Sequence, residues 1–205
     1  MAEVLPVAKS PISPAPPVTV QNGWEVSARR TGAELRLMDC TPLAKVLVLA
    51  TTERDLGVRF GHAFRDEHGT LVVGSGPGEW LLLAPSGTGS EVAGRVEEVQ
   101  PDEGLVSVFD ATHGRALVRI TGARAPDLLA KVCSIDLSEE VTPDGAAFRS
   151  SVAKLVTDIV RDDLEGERSY LLHCERSSGQ YLFDALLGAG DEFAIEVEGF
   201  TALGI

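Results

Sequence analysis

The apolar residues of this chain come in short runs broken by turn-forming residues, and that limits what it can fold into. Stretches such as LRLMDC (35–40), AKVLVLA (44–50) and TLVVGS (70–75) are strand-sized, and each is apolar with β-branched residues or alternation. GEWLLLAP (78–85), GLVSVFD (104–110), RALVRIT (115–121) and YLLHCE (170–175) have the same form. FRSSVA and KLVTDIVRDD (148–163) predict two strands or one bent strand, and EFAIEVEGF (192–200) a closing one. No run approaches the ~20 apolar residues a membrane-spanning helix needs.

Helical spacing occurs in three places. Val92, Val96 and Val99 repeat at helical intervals behind Ser90, a good N-cap. Pro126 suits the first turn of a helix over 125–133, with Leu128, Leu129 and Val132 on its apolar face. Ser177 or Ser178 caps a third helix running to Leu187, with Gly188 as its stop.

The order of elements suggests an internal repeat. KVLVLATTER (45–54) resembles RALVRITGAR (115–124), and EWLLLAP (79–85) resembles SYLLHCE (169–175). Strand, irregular or helical segment, two strands, helix and strand therefore occur roughly twice. The expected fold is α+β: two ferredoxin-like split β-α-β units, with antiparallel sheets and helices on one face. The lobes span about 35–104 and 105–200 within a globular domain of residues 24–205. Residues 1–23 carry Pro6, Pro11, Pro14, Pro16 and Pro17, which interrupt helix and central strand alike. They are expected to form an extended tail, with Trp24 as a contact anchor against a partner.

Charge removes whole classes of function. With 31 acidic against 18 basic residues the net charge is -13, so the chain lacks the positive footprint that nucleic acid or an anionic membrane demands. Without a secretory signal pattern at its start, the expected location is cytoplasmic. Cys40, Cys133 and Cys174 are odd in number and far apart, which argues for buried thiols rather than a zinc site.

Gly74, Gly76 and Gly78 in GSGPGEW imitate a phosphate loop, but Glu79 and a strand follow where a helix and Lys are needed. They read as a turn. In VFDATHGR, Asp110, Thr112 and His113 are too close together for a triad, and Asp110 is expected to accept a turn-forming bond from a nearby N–H. His62, His68 and His173 have no ligand-spaced partners and are expected at the surface. Asp158, in LVTDIV, either faces the core, where burial raises its pKa, or lies on the solvated side of its strand opposite Thr157 and Ile159. Alternation favours the solvated side. Trp80, among three leucines, is expected in the core.

The stretch 108–137 resembles the most characteristic segment of sarcosine oxidase gamma subunits. The matching positions are Asp110, Thr112, Gly122, Leu128, Leu129, Cys133, Asp136 and Leu137. GPGEWLLLAP (76–85) and the helix bearing Tyr181, Leu182, Leu186 and Leu187 also match that family. More distantly the segment is similar to the folate-binding region of glycine-cleavage T proteins. Asp158 falls near their folate-site acid, with Lys154 and Leu155 where they have glycines. The resemblance implies a non-catalytic structural subunit of a heterotetramer that oxidatively demethylates sarcosine to glycine, forming hydrogen peroxide and methylene-tetrahydrofolate. It implies alpha, beta and delta partner subunits, with alpha as the main contact. It also places FAD, FMN, NAD, tetrahydrofolate and zinc in those partners. No catalytic, cofactor-binding or metal residue is assigned to this chain. The other reading is a free-standing folate-dependent aminomethyltransferase-like protein.

Overall fold

The computed structural model describes residues 6–51, 56–98 and 104–201. Val4 and Leu5 of the expected tail, the end of the KVLVLATTER repeat and Val99 of the first helix lie outside the described residues.

The chain begins with β1 (Ala8–Lys9), β2 (Val18–Gln21) and β3 (Trp24–Ser27), a small sheet in the order β1-β3-β2. Next come β4 (Arg36–Asp39), β5 (Ala44–Ala50), β6 (Ala63–Arg65), β7 (Leu71–Gly76), β8 (Glu79–Ala84), helix α1 (Gly89–Glu98) and β9 (Val106–Asp110). The second half holds β10 (Arg115–Thr121), α2 (Ala125–Ala130), β11 (Ala147–Val152), β12 (Leu155–Arg161), β13 (Ser169–Glu175), α3 (Gly179–Gly190) and β14 (Glu196–Glu198).

Two larger sheets result, in the orders β6-β7-β8-β5-β9 and β11-β12-β13-β10-β4-β14. The fold is mixed α+β, with antiparallel pairing throughout the first and one parallel pair, β14 with β4, in the second. β5 and β10 hold equivalent places, as do β8 and β13, so the repeat read from the sequence has a topological counterpart. The two units differ in that β4 is inserted between β10 and β14, and in that α2 follows β10 while no helix follows β5 among the described residues.

Period-2 alternation then builds layers. One face of the first sheet packs Val46, Val48, Val72 and Leu82 against Val92 and Val96 of α1. Its other face, with Leu71, Val73, Leu81 and Leu83, meets Leu117, Val160 and Leu171 of the second sheet. The far side of that sheet buries Val118, Ile120 and Leu172 against Leu128 of α2 and Leu182 and Leu186 of α3. The order across the molecule is helix, sheet, sheet, helices. Bonds from Ala63 N to Gly145 O (2.7 Å) and from Ala147 N to Gly61 O (2.9 Å) stitch the two sheets along one edge.

The proline-rich segment corrects an expectation. It is extended, but it lies on its own domain, and the boundary at residue 23 falls inside the β2–β3 hairpin. Ile12 is fully buried in the core under α3, Ser13 N donates to Gln180 Oε1 (2.7 Å), and Pro11 sits where a Cβ on Gly179 would collide at 2.8 Å. Trp24 is buried too, and its indole stacks on His113 at 4.7 Å, so it is no exposed anchor. Proline content signals the loss of helix, not the loss of tertiary contact. A second correction concerns α3, which runs through Gly188 to Gly190 because its apolar face is buried past Leu187, at Ala189 and Gly190.

Candidate functional site

The sequence motifs resolve into turns and core. Asp110 Oδ1 accepts the Thr112 N–H at 2.9 Å, the turn expected of it, and Thr112 Oγ1 accepts the Lys45 N–H at 3.0 Å. The segment thus ties the crossover between the two sheets to the start of β5. Lys45 is wholly buried there; its Nζ donates to the carbonyls of Thr41 (2.7 Å) and Leu43 (2.8 Å). Burial brings its pKa down to about 8, against the pull of the Asp39 carboxylate. The glycines of GSGPGEW close the β7–β8 hairpin, with Gly78 at φ 71°. Cys40, Cys133 and Cys174 are free and buried, as expected, and burial pushes the Cys40 thiol up to about 12. Trp80 lies in the core, its Nε1 donating to Val58 O at 3.3 Å. His68 is exposed, as expected; His62 is half-buried at the seam between the sheets. Among the described residues no cluster of His, Cys, Asp and Glu is arranged to hold a metal, and no helix is long and apolar enough to cross a membrane.

The arrangement with chemical content is a row across the second sheet. Pairing sets Arg149 opposite Asp158 and Asp158 opposite His173, all on the face turned toward the first sheet. Arg149 grips the carboxylate with two bonds, Nε to Oδ1 at 2.6 Å and Nη2 to Oδ2 at 3.2 Å. His173 Nδ1 stands 3.5 Å from Asp158 Oδ2, a long polar contact that falls outside hydrogen-bond geometry. Neither ring nitrogen has a hydrogen-bond partner.

His173 therefore contradicts its expected place at the surface. It is 5% exposed, because β13 is an inner strand covered on both faces. The signal was in YLLHCE: a run without polar alternation reads as a strand buried on both sides, so a polar residue within it is buried as well. Burial pulls the His173 pKa down, against Asp158, and leaves the ring neutral. For Asp158 the alternation is right, since Thr157 and Ile159 face the other core. Its own side, however, is half-buried between the sheets rather than solvated. Burial alone would raise its pKa, but the His173 ring and the Arg149 guanidinium together hold it below the usual carboxylate value. A carboxylate kept ionised beside a neutral imidazole accepts protons poorly, which disfavours general-base work. The adjoining cavity, walled by Phe60, Gly74, Ser75 and Leu117, measures about 20 Å³, no more than one water molecule requires.

Comparison with known proteins shows the family. The model of the GCVT N-terminal domain matches residues 67–205. The chain belongs to that family. The chain is 30% identical over 128 residues to the sarcosine oxidase subunit gamma of Corynebacterium sp. (strain P-1), covering 62% of this chain and 60% of that one. It is 28% identical over 128 residues to human mitochondrial dimethylglycine dehydrogenase, covering 62% of this chain but 15% of that much longer one. The chain thus spans less than two thirds of the curated relatives it matches first. Among solved structures, a chain of the heterotetrameric sarcosine oxidase from Corynebacterium sp. U-96, in complex with pyrrole 2-carboxylate, superposes with a TM-score of 0.68. That match, at 22% identity, covers 82% of this GCVT-family chain and 89% of the other and shows a shared fold. The resemblance to sarcosine oxidase gamma subunits read from Asp110–Leu137 is borne out by these findings.

Proposed function

We propose that this chain is a structural subunit of a multi-subunit oxidase of the sarcosine oxidase type, without catalytic, cofactor-binding or metal residues of its own. The observation that carries the reading is the gamma-subunit likeness, in sequence over 128 residues and in fold over 89% of a chain of the heterotetramer. The site supports it: the carboxylate nearest the T-protein acid is held by Arg149, beside a cavity of about 20 Å³. On this reading the flavins, nicotinamide dinucleotide, tetrahydrofolate and zinc belong to larger alpha, beta and delta partners, alpha being the main contact. The complex is cytoplasmic, binds neither nucleic acid nor membrane, and demethylates sarcosine oxidatively. We read each large sheet as a split β-α-β unit of ferredoxin type, and residues 24–205 as the globular body on which residues 6–23 are strapped.

The alternative, a free-standing folate-dependent aminomethyltransferase-like protein, draws on the family match itself and on Asp158. Coexpression with the subunits of such an oxidase decides between them. Copurification in a flavin-bearing complex is expected. A chain that stays alone and binds tetrahydrofolate in calorimetry overturns the structural reading.

A further inference from the structure

An open groove of about 1040 Å³ lies beside the β7–β8 hairpin, bounded by residues 57–64 and by Pro77. Phe60 and Phe64 line it while 61% and 38% exposed. Aromatic residues make up only 5% of the chain, so two in water within one concavity are a large apolar expense for a small surface.

The exposure of Phe60 is built in. Gly61 N donates to Gly74 O (3.0 Å) and Gly74 N to His62 O (2.9 Å), clamping the segment onto β7. A Cβ on Gly74 would stand 2.3 Å from Arg59 O, so the close approach requires glycine there. The phenyl ring is thus presented on a fixed backbone, which lowers the entropy cost of association.

Charge says what should sit there. The described residues lining the groove are mostly apolar or small, with the Glu79 carboxylate beside Gly76 at its edge. They include Arg59, which has neither an ion pair nor a side-chain hydrogen bond among the described residues. Every other described arginine has one, Arg176 through a bond to Lys9 O.

We infer that this groove docks an extended apolar segment of a larger partner subunit, carrying a carboxylate opposite Arg59. The inference rests on the subunit reading above and adds the surface and the chemistry of its occupant. Phe60 also walls the cavity at His173 and Asp158, so the docked segment lies next to that row.

The test coexpresses the tagged full chain with the oxidase subunits and measures copurification and affinity for wild type, Phe60→Glu with Phe64→Glu, Arg59→Glu, and the control Val18→Glu with Val20→Glu. The control alters two exposed valines on the outer face of the β2–β3 sheet. The double phenylalanine variant should lose at least about tenfold in affinity and Arg59→Glu about threefold to tenfold, with the control within about twofold. Thermal melts check folding, and Arg59, exposed and unbonded, keeps the test decisive should the phenylalanine variant fail to fold. Wild type that copurifies while Arg59→Glu and Phe60→Glu, Phe64→Glu bind as tightly overturns the docking surface alone. Wild type that copurifies with nothing overturns both this inference and the subunit reading.

Discussion

Two polar clusters sit on the same face of the six-stranded sheet, and they are built oppositely. In one, Arg119 is almost fully buried and donates to Asp162 Oδ2 (2.6 Å), Asp162 O (3.0 Å) and Ser169 Oγ (2.6 Å), while Arg65 holds both oxygens of Asp162 at 2.7 Å. In the other, Arg149 reaches Asp158 from a more exposed position and His173 is buried with no hydrogen bond at all. The first is a lock joining β6, β10 and the end of β12, in which both carboxylate oxygens and the carbonyl of Asp162 are bonded. The second leaves a neutral ring facing a small cavity. A buried carboxylate with every oxygen bonded fixes a structure, whereas a buried ring with neither nitrogen bonded marks a place where packing has been compromised.

That contrast breaks if the lock proves dispensable. Asp162→Ala strips Arg119 of its carboxylate in a buried setting and should cost about 3–5 kcal/mol, as loss of one partner of a buried pair does. Denaturant titration measures it, and a loss below about 1 kcal/mol, the range of surface pairs, would make the two clusters equivalent.

The second cluster should respond in the opposite direction. His173→Leu removes two buried unbonded nitrogens from an apolar wall and should be neutral or stabilising by about 1 kcal/mol. It should also change the pH dependence. The His173 pKa is lowered from 6.5 in the fold, so the unfolded chain takes up the proton first as pH falls. Wild type therefore loses stability as pH drops below about 6.5, and the leucine variant escapes that loss. The stability difference between them should widen in favour of the variant from pH 7 to pH 5. A constant difference shows that His173 titrates alike in both states.

The smallest effect belongs to Asp158→Asn. Its partner Arg149 is 56% exposed in its side chain, so the pair contributes under about 1 kcal/mol. Because the folded pKa is lowered from 3.8, that contribution is present above pH 4 and lost as pH falls through the folded value. Turnover of the assembled oxidase should stay within a few-fold of the parent. A loss beyond about a hundredfold, roughly 2.7 kcal/mol in the barrier, would give Asp158 a role at a folate site.

Much of the architecture was legible in the chain. Alternation located the strands of both large sheets except the short edge strand β6 (Ala63–Arg65), Gly78 the β7–β8 hairpin, and Asp110 the turn that Thr112 closes. The 148–163 region was ambiguous because its hairpin turns on Ala153 and Lys154, both at positive φ without a glycine. Its conformation is supported from outside, by Ala153 N to Val132 O and by Tyr181 Oη to Ala153 O at 3.1 Å. No local pattern announces such support. The Arg149–Asp158–His173 row was illegible for a similar reason, since it depends on the register of three strands.

The sequence alone determined what nearest neighbours along the chain can enforce: strand and helix spacing, turn chemistry, an acidic surface, and the absence of a ligand-spaced metal motif. Tertiary structure decided what becomes buried. The proline-rich segment lies on its own core through Ile12, Trp24 is covered by His113, and His173 lies inside rather than out. Burial is set by which sheet faces which, a pairing between residues far apart in the chain. Period-2 alternation tells two faces of a strand apart, but it does not say which of them a second sheet will cover.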